Sequence, residues 1–196
     1  MKFVLIFIWI VNLNSAYALQ VFNMKAKEGQ VEFLAKGTLL KINGKGKGVE
    51  GNVVVDNDIA NGELILDLDS LKTGINLRDE HMKNKYLHLK EYPNAILNIE
   101  NMPVPNNFKG KSNFNGTLLL HGIKKPVSGV VDLKGIKDGK LHIYAEFDIK
   151  ISNFNIDLPS FKGITLTEDV KIKVQSKAYE AEDLTAKKST TSKKEI

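Results

Sequence analysis

Leu141-His142-Ile143-Tyr144-Ala145-Glu146-Phe147-Asp148-Ile149-Lys150-Ile151 is the stretch that decides the fold. Leu141, Ile143, Ala145, Phe147, Ile149 and Ile151 fall on one side, and His142, Tyr144, Glu146, Asp148 and Lys150 on the other. That alternation is the signature of a strand with one dry and one wet face. At about 3.3 Å per residue it spans roughly 30 Å or more, the length of a barrel stave rather than of an ordinary strand in a small open sheet. Such a strand has to find others that bury its apolar side.

The flanking sequence supplies such strands. Downstream, Phe154, Ile156, Leu158, Pro159 and Phe161 form an apolar loop expected to plug one end, and Val170, Ile172 and Val174 alternate against Lys171, Lys173 and Gln175. Upstream, Val127, Val131 and Leu133 share a face, and a tight connection from His121 to Pro126 joins them to a strand over residues 117–121. Ala95, Leu97 and Ile99 alternate with Asn98 and Glu100, as Leu64, Leu66 and Leu68 do with Ile65, Asp67 and Asp69. Val53, Val54 and Val55 make a β-branched run, and short strands are expected over 31–35 and 38–42. The run Gly44-Lys45-Gly46-Lys47-Gly48 lacks the G-K-[ST] and strand-to-helix setting of a phosphate loop, so its glycines read as turn residues. Asp56, Asp58 and Glu63 lack the spacing of a calcium loop and read as turn chemistry too.

One long interruption breaks this series, at Thr73 to Pro93. Leu77, Met82, Tyr86 and Leu89 make an apolar stripe at near-helical spacing, with Arg78, Asp79, Glu80, Lys83, Lys85 and Lys90 mostly on other faces. A short amphipathic helix follows, stopped by Tyr92-Pro93, because proline disfavours helical geometry in the residue before it. The whole is an all-β chain of about eight antiparallel strands and one helix, which closes into a barrel or splits into a sandwich. An eight-stranded barrel either fills with side chains or holds one small ligand.

At 196 residues and 42% hydrophobic residues the chain has material for one domain with a real core. Lys2, the apolar run Phe3 to Val11 and Ala16-Tyr17-Ala18 predict a secretory signal peptide over residues 1–18, cut after Ala18. That run is well short of the roughly 20 residues that span a bilayer. The expected domain is 19–181, and the Ala-, Thr-, Ser- and Lys-rich residues 182–196 read as a disordered polar tail. Without cysteine there is no disulfide framework, thiolate chemistry or lipidation site, which fits a periplasmic or secreted bacterial envelope protein. The net charge of +5 becomes +4 once Lys2 is removed with the leader, and acidic and basic residues interleave. No concentrated basic patch points to nucleic acid, whereas weak, transient contact with a membrane surface fits this charge.

Two ordered blocks resemble the YceI-like family of exported lipocalin-like proteins. The first runs from Leu68-Asp69-Ser70-Leu71-Lys72-Thr73-Gly74 through Arg78-Asp79-Glu80-His81-Met82 to Tyr92-Pro93, with Tyr86-Leu87 where the family carries a bulky pair. The second, Gly116 to Val127, looks like that family's G-x-L-x-x-x-G-x-x-[KR]-P-V connection. The resemblance covers about Val31 to Ala178. It departs at Gly29-Gln30-Val31-Glu32-Phe33, which lacks the serine and the following histidine of the family's first strand. It implies an elongated eight-stranded antiparallel barrel with a helix between the fourth and fifth strands. Its interior tunnel would hold a long apolar molecule: a polyisoprenoid, an isoprenoid quinone or its precursor, or a fatty-acid derivative.

The expected function is therefore non-catalytic: binding, carriage or storage of a long-chain lipid, with no cofactor required. The candidate tunnel wall is Leu64, Leu66, Leu68, Ala95, Leu97, Ile99, Leu118, Leu120, Ile143, Ala145 and Phe147, with Met82 and Tyr86 closing from the helix. Arg78, Asp79 and His81 are read as anchors that fix the helix on the barrel. An enzyme reading would use His81 and His88, seven apart on one helix face, as a metal or acid–base site. No H-E-x-x-H spacing, serine elbow or cysteine nucleophile supports it. A third reading is a packed barrel whose outer surface recognises another envelope protein.

Overall fold

A computed structural model describes residues 19–37, 40–161 and 164–181. The expected signal peptide and tail lie outside the described residues, as do Thr38 and Leu39 of the expected second strand.

Among the described residues, eleven strands make one continuous antiparallel sheet. They are β1 (Gln20–Met24), β2 (Gln30–Gly37), β3 (Lys41–Lys47), β4 (Glu50–Asp56), β5 (Ile59–Asp67), β6 (Asn94–Pro103), β7 (Lys109–Leu120), β8 (Ile123–Lys137), β9 (Lys140–Lys150), β10 (Ser160–Phe161) and β11 (Ile164–Glu180). The sheet closes because β1 pairs with both β4 and β11, giving the ring β1-β4-β5-β6-β7-β8-β9-β11. Closure leaves this ring of eight without the unpaired edges that an open sandwich would carry. Along β11, Met24 of β1 faces Ala178 and Gln30 of β2 faces Gln175, so β1 and β2 are one stave broken at 25–29. β3 and β4 repeat this pattern against β2 and β1. The barrel is therefore elongated beyond its closed ring by the β2–β3 hairpin.

β9 is the stave that the alternation of 141–150 predicts, paired with β8 on one side and β11 on the other. Three expectations need correction. The helix follows β5 rather than lying between the fourth and fifth strands: Gln20–Met24 forms a strand that sequence reading did not separate from the apolar residues before it. The helix is also shorter than 73–93. α1 (Asn76–His81) widens into one π turn, Met82–Tyr86, where the Leu87 N–H donates to the Met82 carbonyl. His88 then adopts φ 47°, a left-handed conformation that ends a helix. Lastly, Gly44 and Gly46 lie inside β3 rather than in a turn. A Cβ on Gly44 would come within 2.2 Å of the Phe33 ring, and one on Gly46 within 2.8 Å of Leu71. These glycines make room inside the barrel, and only Gly48 of the run has positive φ, 94°.

Candidate functional site

The barrel encloses one large apolar cavity of about 610 Å³. Its lining combines buried, half-buried and exposed residues. The exposed lining residues, Ile75, Leu77, His81 and Ser160, all belong to the end that carries α1 and the loop before β10, which is the mouth. Below them lies a half-buried waist that includes Leu64, Leu66, Ala95, Leu97, Ile143 and Val174. These side chains point inward by strand alternation, so their partial exposure is to the space inside the barrel. At the far end Phe22 stacks edge-on against Phe108 at 5.1 Å, and farther up the barrel Phe114 stacks against Phe147 at 5.8 Å. Phe22 and Phe108, with the buried Leu141, make the floor at this end. A packed core would show no such waist.

The mouth is held by a small polar lock. Lys72 exchanges two backbone hydrogen bonds with Lys45 of β3, both 2.8 Å, tying the start of the insertion to the sheet. The next residue, Thr73, is gripped twice from α1. Asp79 Oδ1 accepts from the Thr73 N–H at 2.7 Å and from its hydroxyl. The Arg78 guanidinium donates to Thr73 Oγ1 at 2.7 Å and to its carbonyl at 2.9 Å. Partial burial pushes the Asp79 carboxyl upward, but the two bonds from Thr73, with Arg78 and Lys83 nearby, outweigh it and hold the group below its usual range. Lys83, farther along the helix, reaches back to the Asp69 carboxylate at 2.9 Å. Arg78 and Asp79 thus converge on Thr73 and hold the start of the helical segment there.

All of the candidate wall residues line the cavity: Leu64, Leu66, Leu68, Ala95, Leu97, Ile99, Leu118, Leu120, Ile143, Ala145 and Phe147, with Met82 and Tyr86 from the helical segment. Arg78 and His81 line it at the mouth, and Asp79 stands behind them. Leu77 of the predicted stripe is 59% exposed at the rim. The proposed His81–His88 pair does not form on one helix face, since the helix ends before His88. His88 instead meets His121, Nδ1 to Nε2 at 3.3 Å, and His121 Nδ1 lies 2.9 Å from the Phe154 carbonyl. Among the described residues no group of three or more His, Cys, Asp and Glu could hold a metal ion.

Sequence reasoning missed the floor and much of the upper wall: Phe22 and Met24 of β1, Phe33 opposite Gly44, and Ser176 of β11. The first two alternate visibly when residues 20–24 are read by themselves. Among the described residues no helix is long and apolar enough to cross a membrane.

A family model described as the YceI-like domain matches residues 22–178. Solved structures that share the fold include the following three. BcnA of Burkholderia cenocepacia is 20% identical with a TM-score of 0.64, over 76% of this chain and 95% of that one. A polyisoprenoid-binding domain from Saccharophagus degradans, implicated in plant cell wall breakdown, is 12% identical with a TM-score of 0.64, over 84% and 100%. A YceI protein of Campylobacter jejuni is 18% identical with a TM-score of 0.57, over 74% and 88%. No curated protein sequence matches the chain.

Proposed function

From the premise that this chain belongs to the YceI-like domain family, we propose that it binds and carries, without catalysis, one long-chain apolar lipid such as a polyisoprenoid inside its barrel. The observation that carries this reading is the waist: inward-facing aliphatic side chains that are left half-exposed around about 610 Å³ of apolar space. A methylene fills about the ~30 Å³ that a water molecule takes in the liquid, so the space suits roughly twenty carbons, or about four isoprene units. At about 0.8 kcal/mol per buried methylene the gross drive is roughly 16 kcal/mol. Association costs of about 4–15 kcal/mol oppose it. The balance favours binding only when the chain fills most of the cavity.

The name of the Saccharophagus degradans domain, a polyisoprenoid-binding domain of the same fold, supports the same class of ligand. The reading extends to loading. Ile75 and Leu77, 54% and 59% exposed, are part of the cavity lining and also face solvent. Lys36 and Lys41 pair across β2 and β3 beside this end, and Lys72 adjoins Thr73. Among the described residues none of these three lysines lies within 4.0 Å of a carboxylate. An apolar rim with cations beside it suits brief contact with an anionic bilayer, from which the chain is drawn. The envelope location rests on the signal peptide expected over residues 1–18.

A ladder of prenyl alcohols of two to eight isoprene units tests the proposal. Affinity should climb by about tenfold or more per unit up to about four units and then flatten, as added carbons project from the mouth. Absence of binding at every length would overturn it.

A further inference from the structure

The cavity wall is apolar with few exceptions, and most of those are explained at the mouth. Thr73 and Arg78 bond each other, and His81 and Ser160 are solvated. Ser176 is different. It lies on β11, faces Ile143 of β9, and lines the cavity while only 1% exposed. Its Oγ is the one fully buried side-chain polar atom among the described residues without a hydrogen-bond partner. Its neighbours on the same face are Val174 and Ala178, and the next stave brings Met24 opposite Ala178. None of these side chains can accept from or donate to a hydroxyl.

A buried hydroxyl without a partner costs about 1–3 kcal/mol. An alanine or valine in its place would remove that cost. The ten residues from Leu166, beside the mouth, to Ser176 are roughly 33 Å of strand. With a stave tilt of roughly 40° that is about 25 Å of depth, close to the length of an extended chain of about twenty carbons.

We propose that Ser176 is a deep polar subsite for the ligand: its hydroxyl donates a hydrogen bond to a neutral acceptor, a carbonyl or ether oxygen, at the end of the lipid that enters first. This rests on the lipid-carrying reading above and adds the ligand's orientation and head-group class. The buried end must be neutral, because the cationic lining residue among those described, Arg78, stands at the mouth, and a phosphate desolvated beside Leu141 and Phe22 would have no counter-charge. The chain tail then points to the rim formed by Ile75 and Leu77.

The test pairs two probes, a methyl ketone of four isoprene units and the alkene of the same length without oxygen, against the wild-type protein and Ser176→Ala. Loss of one hydrogen bond to a buried carbonyl is expected to weaken ketone binding about fivefold to tenfold, with alkene binding unchanged. The bound ketone's carbonyl stretch should shift to lower frequency in the wild type and return in Ser176→Ala. The free variant should be at least as stable as the wild type, since it loses an unpartnered hydroxyl. Equal weakening of both probes would make Ser176 a packing residue and overturn the proposal, as would an unshifted carbonyl in the wild type. Failure of both probes to bind the wild type would overturn the lipid-carrying reading and this inference with it, whereas alkene binding with no ketone discrimination would overturn this inference alone.

Discussion

Replacing Ala145 with phenylalanine separates an open barrel from a packed one more sharply than deleting any wall residue. Ala145 sits in the middle of β9, pairs with Val131 on β8 and Val174 on β11, and is half-buried because it borders the cavity. A phenyl ring adds six carbons, roughly 180 Å³ at ~30 Å³ each, so it occupies close to a third of the 610 Å³ available. In an open waist the ring takes space that no side chain holds, and burying it contributes about 1–2 kcal/mol to the stability of the empty protein. In a filled core the same change forces neighbours off their rotamers and costs about 1–3 kcal/mol. The two accounts differ in sign. Urea denaturation of delipidated wild-type and Ala145→Phe protein reads it directly, and the prenyl-alcohol ladder supplies the second readout. The longest chain that still gains affinity should drop from about four isoprene units to about three. A destabilised variant with an unchanged ladder would mean that the barrel is filled by its own side chains.

Other predictions follow from single contacts. Asp79→Ala removes both bonds to Thr73 and should cost about 1–2 kcal/mol while speeding lipid release, measured by denaturation and by transfer of a fluorescent prenyl probe to vesicles. Because the folded Asp79 carboxyl titrates below its ordinary value of 3.8, its stabilisation is present above that pH and is lost as pH falls through the lower folded value. Wild-type probe release should therefore accelerate below about pH 4, and Asp79→Ala should lack that acid limb. Gly116→Ala places a Cβ 2.2 Å from the Asn98 carbonyl on the neighbouring β6, so the β6–β7 ladder must part; a loss of about 2 kcal/mol or more is expected in thermal unfolding. Ile75→Asp combined with Leu77→Asp should abolish co-sedimentation with anionic vesicles and leave stability within about 0.5 kcal/mol, since both side chains are already exposed.

Strand alternation made the wall legible because a closed antiparallel barrel obeys a period of two: once Leu141 to Ile149 is placed inward, its partners inherit their direction through register. That is why Leu64, Leu97, Leu118 and Ile143 were found on the same cavity from sequence alone. What alternation does not carry is the content of the interior. Gly44 and Gly46 looked like turn glycines because a glycine's lack of a side chain serves a tight bend and a crowded strand equally, and only the Phe33 ring beside them distinguishes the two. The helix length was overestimated since the apolar stripe continues to Leu89, while the left-handed turn at His88 has no periodic signature. Ser176 was invisible for a related reason: a serine inside a strand reads the same whether or not a partner lies opposite it.

Native mass spectrometry of the protein purified without detergent from an envelope extract, followed by solvent extraction of anything bound, shows whether the barrel carries a lipid. One lipid per chain is expected, released by solvent, with a prenyl or comparably long apolar chain in its fragmentation. Protein of bare polypeptide mass that also takes up no prenyl alcohol of four isoprene units would contradict the lipid-carrying reading.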